Sequence, residues 1–204
     1  MAARIGRAPT HLATTVETLV TEFLETARLC LDNTMVLERL QGTGRLFTHT
    51  AREMQVVGLV GRASGIDADL RRDAPFAAYG ELEVRAALYE AGDVWARTMV
   101  RVDEVRESAR LIRAAVVGAP DGPTRVPLPP LPAGGHAFGL VEAWRGPVWH
   151  WVLAEAPAKL ARVKVVDPSF RNWAALEYAV LKNIVPDFPL CNKSFNLSYS
   201  GNDL

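Results

Sequence analysis

Asp93–Val117 reads DVWARTMVRVDEVRESARLIRAAVV. Trp95, Met99, Val102, Val105, Ala109, Ile112 and Val116 recur at three- and four-residue steps, which lines them along one side of an α-helix. Arg97, Arg101, Asp103, Glu104, Arg106, Glu107, Arg110 and Arg113 fill the other faces and read mostly as a solvated surface. Asp93 is placed to cap the start, and Gly118 with Pro120 to stop the helix. An amphipathic helix of this length needs a partner for its stripe. The expected architecture is therefore a bundle built around it.

Upstream, residues 1–9 read as a frayed leader. From Thr10 to about Met35, Val16, Leu19/Val20, Phe23/Leu24, Ala27 and Cys30/Leu31 keep a helical period. On that period Cys30 is expected to be a small core residue. Gly42 and Gly44 break the chain, and Thr48–Val57 reads as a short helix opened by capping residues. Gly58–Tyr79, GLVGRASGIDADLRRDAPFAAY, has a different texture, with glycine, arginine and aspartate among few apolar residues. It reads as a long loop. Loops beyond about 12–15 residues are commonly functional or disordered, and a surface loop laced with Arg–Asp pairs stands beside that reading.

Downstream, residues 118–135 hold four glycines and six prolines and read as a linker or an extended polyproline-like segment. Three short alternating stretches follow, Ala137–Trp144, Val148–Ala154 and Leu160–Val166, the first two joined by a turn at Arg145-Gly146-Pro147. They predict an antiparallel meander. Asn172 is expected to cap a last helix, Trp173–Lys182, and the remaining tail reads as irregular. The fold class is α+β within a single domain: a helical part over 10–117, the linker over 118–135, then sheet, helix and tail over 136–204.

The totals narrow the function classes. At 204 residues, 49% apolar and 23% charged, the chain is an ordinary globular protein. Lys+Arg and Asp+Glu balance at 23 each, so no basic excess points to nucleic acid. No apolar run approaches the roughly 20 residues of a membrane helix, and the start lacks the apolar core of a signal peptide. Two cysteines, Cys30 and Cys191, form no CxxC pair, which suits a reducing cytoplasm. The histidines at 11, 49, 136 and 150 show no metal-ligand spacing, and no Walker, dinucleotide-binding, HExxH or GxSxG motif occurs. Two spots rise above this background. One is Glu142–Trp151, EAWRGPVWHW, where charge and aromatics crowd a turn; the other is Cys191 in a polar tail.

The order of LERLQGTG, GLVGRASGIDADLRRDAPF, GDVWARTMVRVDEVRES, VEAWRGPVWHWV and RVKVVDPSFRNWAAL, with a C-terminal segment carrying one cysteine, resembles one superfamily. It is the large subunit shared by NADH:quinone oxidoreductase (the D-type subunit of complex I) and membrane-bound nickel–iron hydrogenases. The similarity runs from about Leu19 to the end and looks nearest to hydrogenase-4 or formate-hydrogenlyase large subunits. It covers the C-terminal half of such a subunit. Family members carry a further upstream segment, with a cysteine pair in hydrogenases or the quinone-headgroup histidine and tyrosine in complex I. A truncated or split large subunit, inactive alone, is the expectation.

The resemblance also implies site residues. Glu142, Ala143, Arg145, Gly146 and His150 match the hydrogenase Glu-Ala-Pro-Arg-Gly segment and its following histidine, with Trp144 in place of the proline. Arg145 would be a fixed cation beside the reaction centre, Glu142 its neighbour or its ion-pair partner across the turn, and His150 a proton relay or a packed strand residue. Arg62, Ser64 and Gly65 match an Arg-x-Ser-Gly loop that borders the cofactor cavity and the partner subunit. Cys191 stands at a nickel-ligand position and Ser194 at that of the second cysteine. A hydroxyl poorly replaces a bridging thiolate, so no nickel–iron centre and no metal is expected, and no NAD site is visible.

The implied role is a subunit on the cytoplasmic face of the inner membrane. It would wall a quinone- or proton-reducing cavity beside a small iron–sulfur subunit that carries the cluster. Its other partners would be the remaining half of the large subunit and the membrane-arm subunits. The competing reading is a non-catalytic interaction or assembly module, or an inactive remnant.

Overall fold

The computed structural model describes residues 9–118, 125–127, 129–157 and 159–203. Residues 1–8 of the leader expected over 1–9, and residues 119–124 and 128 of the expected linker, lie outside them; Pro9 already belongs to the first helix. Nine α-helices and three strands follow in order among the described residues. Helices α1 (Pro9–Leu31), α2 (Thr34–Leu40), α3 (Thr48–Glu53), α4 (Gly58–Ala63), α5 (Leu70–Asp73) and α6 (Val94–Val117) come first. Strands β1 (His136–Ala143), β2 (Gly146–Ala156) and β3 (Lys159–Val166) follow, then α7 (Ser169–Ala179), α8 (Phe188–Phe195) and α9 (Tyr199–Asn202). The α+β reading stands: helices, then an antiparallel sheet in the order β1-β2-β3, then further helices.

Helix α6 is the axis, and its start is capped as expected, the Asp93 side chain accepting from Ala96 N. Its inner face is different from the one the apolar period suggested. Arg97, Val100, Glu104, Glu107 and Leu111 are buried, a three- and four-residue series that mixes three charged groups with two apolar ones. The reading of these charges as solvated is corrected. Val105, Ala109 and Ile112 instead face α1, which lies beside α6. The helix is therefore covered on two sides, and burying charge on the second side requires partners.

Helix α1 half-buries Val16, Val20, Leu24, Ala27 and Leu31. Leu12, Leu19, Phe23 and Cys30 lie on a line roughly a quarter-turn away and are exposed. Cys30 is thus a surface thiol and not a core residue, because α1 buries one narrow stripe only.

The 58–79 stretch is not a surface loop. Its first six residues form α4, every one of them buried, and α5 and a 3-10 turn at Ala77–Gly80 complete it. Leu59, Val60 and Ala63 join Val94, Val100, Leu176 and Phe195 in the core, so elements before and after the sheet share one interior. The first hairpin turns at Trp144-Arg145, with Ala143 opposite Gly146; Gly146 and Pro147 belong to β2. Asn172 is inside α7 and caps nothing there. Its side-chain amide instead bonds Val57 N and Val57 O at 3.1 Å each, closing the backbone just before α4. The tail is likewise ordered into α8 and α9. Its two prolines sit at helix starts, where the missing N–H costs nothing.

Candidate functional site: a buried charge network beside a cavity

Arg62, in the last turn of α4, is 1% exposed. Its Nη2 donates to Glu104 Oε1 at 2.5 Å, and Nη1 to Glu142 Oε1 at 3.0 Å and to Ala68 O at 3.2 Å. Asp69 Oδ2 stands 3.7 Å from Nη1. Asp69 in turn takes the fork of Arg71, at 2.9 Å from Nε and 2.5 Å from Nη2, while accepting from the Arg71 backbone N–H as the cap of α5. One buried network thus joins α4, α5, α6 and β1.

Its protonation states follow from geometry. Burial alone would raise Asp69, but the Arg71 fork and the nearby Arg62 hold its carboxyl below the usual aspartate range. Burial works against the Arg62 charge, yet Glu104, Glu142 and Asp69 together keep it firmly cationic. Burial pushes the Glu142 carboxyl up, and Arg62 offsets this only in part.

A cavity of about 420 Å3 opens beside the network. Val16, Leu19 and Val20 of α1 and Val105, Ala109 and Ile112 of α6 give it apolar walls, and Arg62, Arg71, Glu104 and Glu142 give it a polar one. Such a lining, mostly apolar with a few convergent charged groups, is that of a small-molecule site.

A second group lies at the other end of the hairpin turn. Arg97 is fully buried and donates to Ser194 Oγ (2.8 Å), Gly92 O (2.6 Å) and Gly44 O (2.8 Å), with Phe195 under its guanidinium. Arg101 donates to Arg97 O and Ser194 O and lies 5.8 Å from the Trp144 ring centroid. Arg145 Nε donates to Asn196 O. Burial lowers Arg97 to about 9. It lowers Arg101 to about 10, with Arg145 contributing to the fall against the pull of Glu104.

The expected site residues therefore fall into three places. Arg62 and Glu142 are brought together. Arg145 does not pair with Glu142 across the turn; it faces the α8–α9 segment. His150 is exposed on β2, opposite Gly139 and Val165. Ser64 is buried at the end of α4, and Gly65, at φ +80°, abuts Thr48; neither lines the cavity with Arg62. Glu104, Asp69 and Arg71 were missed as site residues. The signal for Glu104 was available: it falls on the series 97, 100, 104, 107, 111.

The nickel site of hydrogenases does not fit the residues at Cys191. Its thiol is buried against Gly44 beside the Arg97 guanidinium, and burial pushes it up, away from the thiolate a metal requires. Ser194 Oγ already accepts from Arg97 and donates to Cys191 O. Among the described residues no three His, Cys, Asp or Glu side chains are grouped to hold a metal ion.

The fold is that of one family of respiratory-complex subunits. The model of the 49 kDa subunit of respiratory-chain NADH dehydrogenase matches residues 7–131, and the chain belongs to that family. It is 36% identical over 165 residues to the carbon monoxide-induced hydrogenase of Rhodospirillum rubrum, covering 80% of this chain and 45% of the relative. It is 33% identical to a D-type NADH-quinone oxidoreductase subunit of Sinorhizobium medicae (73% and 44% covered). It is also 33% identical to formate hydrogenlyase subunit 5 of Escherichia coli (89% and 32% covered). A chain of the membrane-bound sulfane sulfur reductase, an archaeal respiratory membrane complex, superposes with a TM-score of 0.87 at 27% identity, over 98% of this chain and 56% of that one. The motif resemblance is borne out. The chain spans less than half the length of these curated relatives.

Proposed function

We propose that this chain serves as part of the large subunit of a membrane-associated redox complex of the NADH:quinone oxidoreductase and hydrogenase type. In that role it walls the cavity where quinone or protons are reduced, beside an iron–sulfur small subunit. The observation that carries the reading is the cavity between α1 and α6, closed on one side by Arg62, Arg71, Glu104 and Glu142. Apolar walls suit a quinone, and convergent charged groups suit proton-coupled reduction. The candidate catalytic groups of this reading are Arg145, Glu142 and His150, of which Glu142 lines the cavity, and its candidate cofactor-binding ones are Arg62, Ser64 and Gly65, of which Arg62 lines it. No described helix is long and apolar enough to cross a membrane. In this reading the chain is held peripherally on the inner face by membrane-arm partners.

The test is reconstitution. The chain is co-expressed with an iron–sulfur small subunit, the remaining part of the large subunit and the membrane arm, and quinone- or hydrogen-linked turnover is measured. Turnover that requires this chain and falls in Glu142→Gln supports the reading. Turnover independent of the chain sinks it.

The alternative is a non-catalytic interaction or assembly module. What favours it is the amount of apolar surface left open: Leu19, Phe23, Phe138 and Val163 are each at least 40% exposed. An assembly that forms fully with the chain present and shows no turnover would select that reading.

A further inference from the structure

We propose that the exposed apolar strip of α1 that carries Leu12, Leu19, Phe23 and Cys30 is the seat of a helix from the remaining part of the large subunit, and that this helix closes the cavity between α1 and α6 from solvent. The inference rests on the reading above that this chain is one part of such a subunit. It adds which face receives the other part and what chemistry that part presents.

Successive residues of an α-helix are turned by roughly 100°, which places the side chains of α1 around its axis. Ala13, Val16, Val20, Leu24, Ala27 and Leu31 share one strip and are half-buried, with α6 alongside. Leu12, Thr15, Leu19, Phe23, Thr26 and Cys30 share the adjoining strip and are exposed. Together the two strips span about half the circumference. Glu17, Glu22, Glu25 and Arg28 all fall on the other half. A surface helix with one neighbour needs an apolar arc of about 100°. An arc nearly twice as wide serves two neighbours, and α6 supplies one.

The uncovered strip is chemically fit to meet protein. It holds no charge, and its two threonines satisfy their hydroxyls within the helix, Thr15 donating to His11 O at 2.8 Å and Thr26 to Glu22 O at 2.9 Å. Leu12, Leu19 and Thr26 repeat at seven residues, as do Val16, Phe23 and Cys30, the spacing at which a second helix interlocks. Among residues 11–31 no side chain is fully buried, although helices draw most of their stability from tertiary packing.

The strip also forms the rim of the cavity. Leu19, 59% exposed, lines it with Val16 and Val20. A second cavity of about 390 Å3 shares Arg71, Tyr79, Ser108 and Ile112 with the first and carries the groove along α6 to Ala115. At its polar wall Arg62, Arg71 and Arg101 stand against Asp69, Glu104 and Glu142, so a covering helix need bring no charge. Length says what covers it. The chain spans 45% of one curated relative and 56% of the superposed chain. The other half of such a subunit needs an apolar face to pack on, and the uncharged strip beside the cavity is that face.

Cys30 reports on it directly, being exposed on the strip, while Cys191 is buried. In the full 204-residue chain alone, dilute and native, a maleimide reagent is expected to label Cys30 and spare Cys191. Co-assembly with the remaining part of the large subunit is expected to slow Cys30 labelling about tenfold or more. Leu19→Glu, which puts a charge into the covered strip, should weaken that assembly about tenfold or more. Leu29→Glu, at a position 60% exposed on the charged side of the same helix, should leave it unchanged. If Leu19→Glu does not fold, Cys30 labelling in the unsubstituted assembly still decides. Undiminished Cys30 labelling in the assembled complex, or equal effects of the two variants, overturns the proposal. So does a defined dimer of this chain that covers Cys30 and is not displaced by the remaining part, since the face then belongs to a second copy. Turnover in a complex whose Cys30 stays fully reactive would leave the redox reading standing and the proposal refuted.

Discussion

Gly58 and Arg145 meet backbone to backbone. A β-carbon on Gly58 would lie 2.0 Å from the Arg145 carbonyl oxygen, and Gly58 adopts φ +64°. This contact seats the hairpin turn on the start of α4. From there β1 carries Glu142 to the guanidinium of Arg62, at the other end of the same short helix.

Gly58→Ala is therefore expected to be severely destabilising. Left-handed strain and a backbone clash act together, for a cost of about 3 kcal/mol or more. Chemical denaturation measures it, with Gly80→Ala as control, since nothing lies within 4 Å of a β-carbon there. Equal midpoints for the two variants would contradict the contact.

Arg62→Met leaves three buried carboxylates around an apolar side chain. Removing one partner from a buried ionic network typically costs about 3–5 kcal/mol. The expected signature is that Glu142→Gln loses most of its separate effect in the Arg62→Met background, because the two residues act as a pair. Additive free energies in a double-mutant cycle would show that they do not.

Acid should attack Asp69. Its carboxyl is held below the ordinary 3.8, so its contribution is present above that value and is lost as the pH falls through the folded one. Asp69→Asn, measured by thermal melting in a pH series, should flatten this acid limb while lowering stability at neutral pH. An unchanged limb would place the acid sensitivity in other groups, with Glu107 and Asp73 next in line because arginine partners hold them low as well.

Arg145→Lys should lower turnover in a reconstituted complex while sparing assembly. Lysine offers a point charge where the planar fork now holds Asn196 O. Arg125→Lys, at an exposed position, is the matched control. Unchanged turnover in the first with a loss in the second would reverse the assignment.

The chain purified alone should oligomerise, aggregate or bind a hydrophobic dye. Leu12, Leu19 and Phe23 line one exposed side of α1, and Phe138, Leu160 and Val163 are exposed on the sheet. Monomers rarely tolerate contiguous apolar patches beyond a few hundred Å2. A monodisperse monomer without dye binding would refute this.

What the sequence determined by itself was local. The period and the Asp93 cap set α6, alternation set three strands, Gly42 and Gly44 set a break, and collinear motifs set the family. These rest on interactions between near neighbours, or on residue order. What only the tertiary structure decided was which faces are buried, and against what. The charges of α6 read as solvated because eight charged residues on one helix usually are; Arg62, thirty-five positions before Arg97 in the chain, turns that face inward by supplying the partner Glu104 needs. The apolar period of α1 placed Cys30 inside, yet a helix buries only the stripe its neighbour covers. Asn172 looked like a cap because its type favours caps, and the backbone of Val57, 115 positions away, claimed it instead. In each case a group was assigned by its local preference and then reassigned by its distant surroundings. Burial without a partner costs more than any local propensity returns.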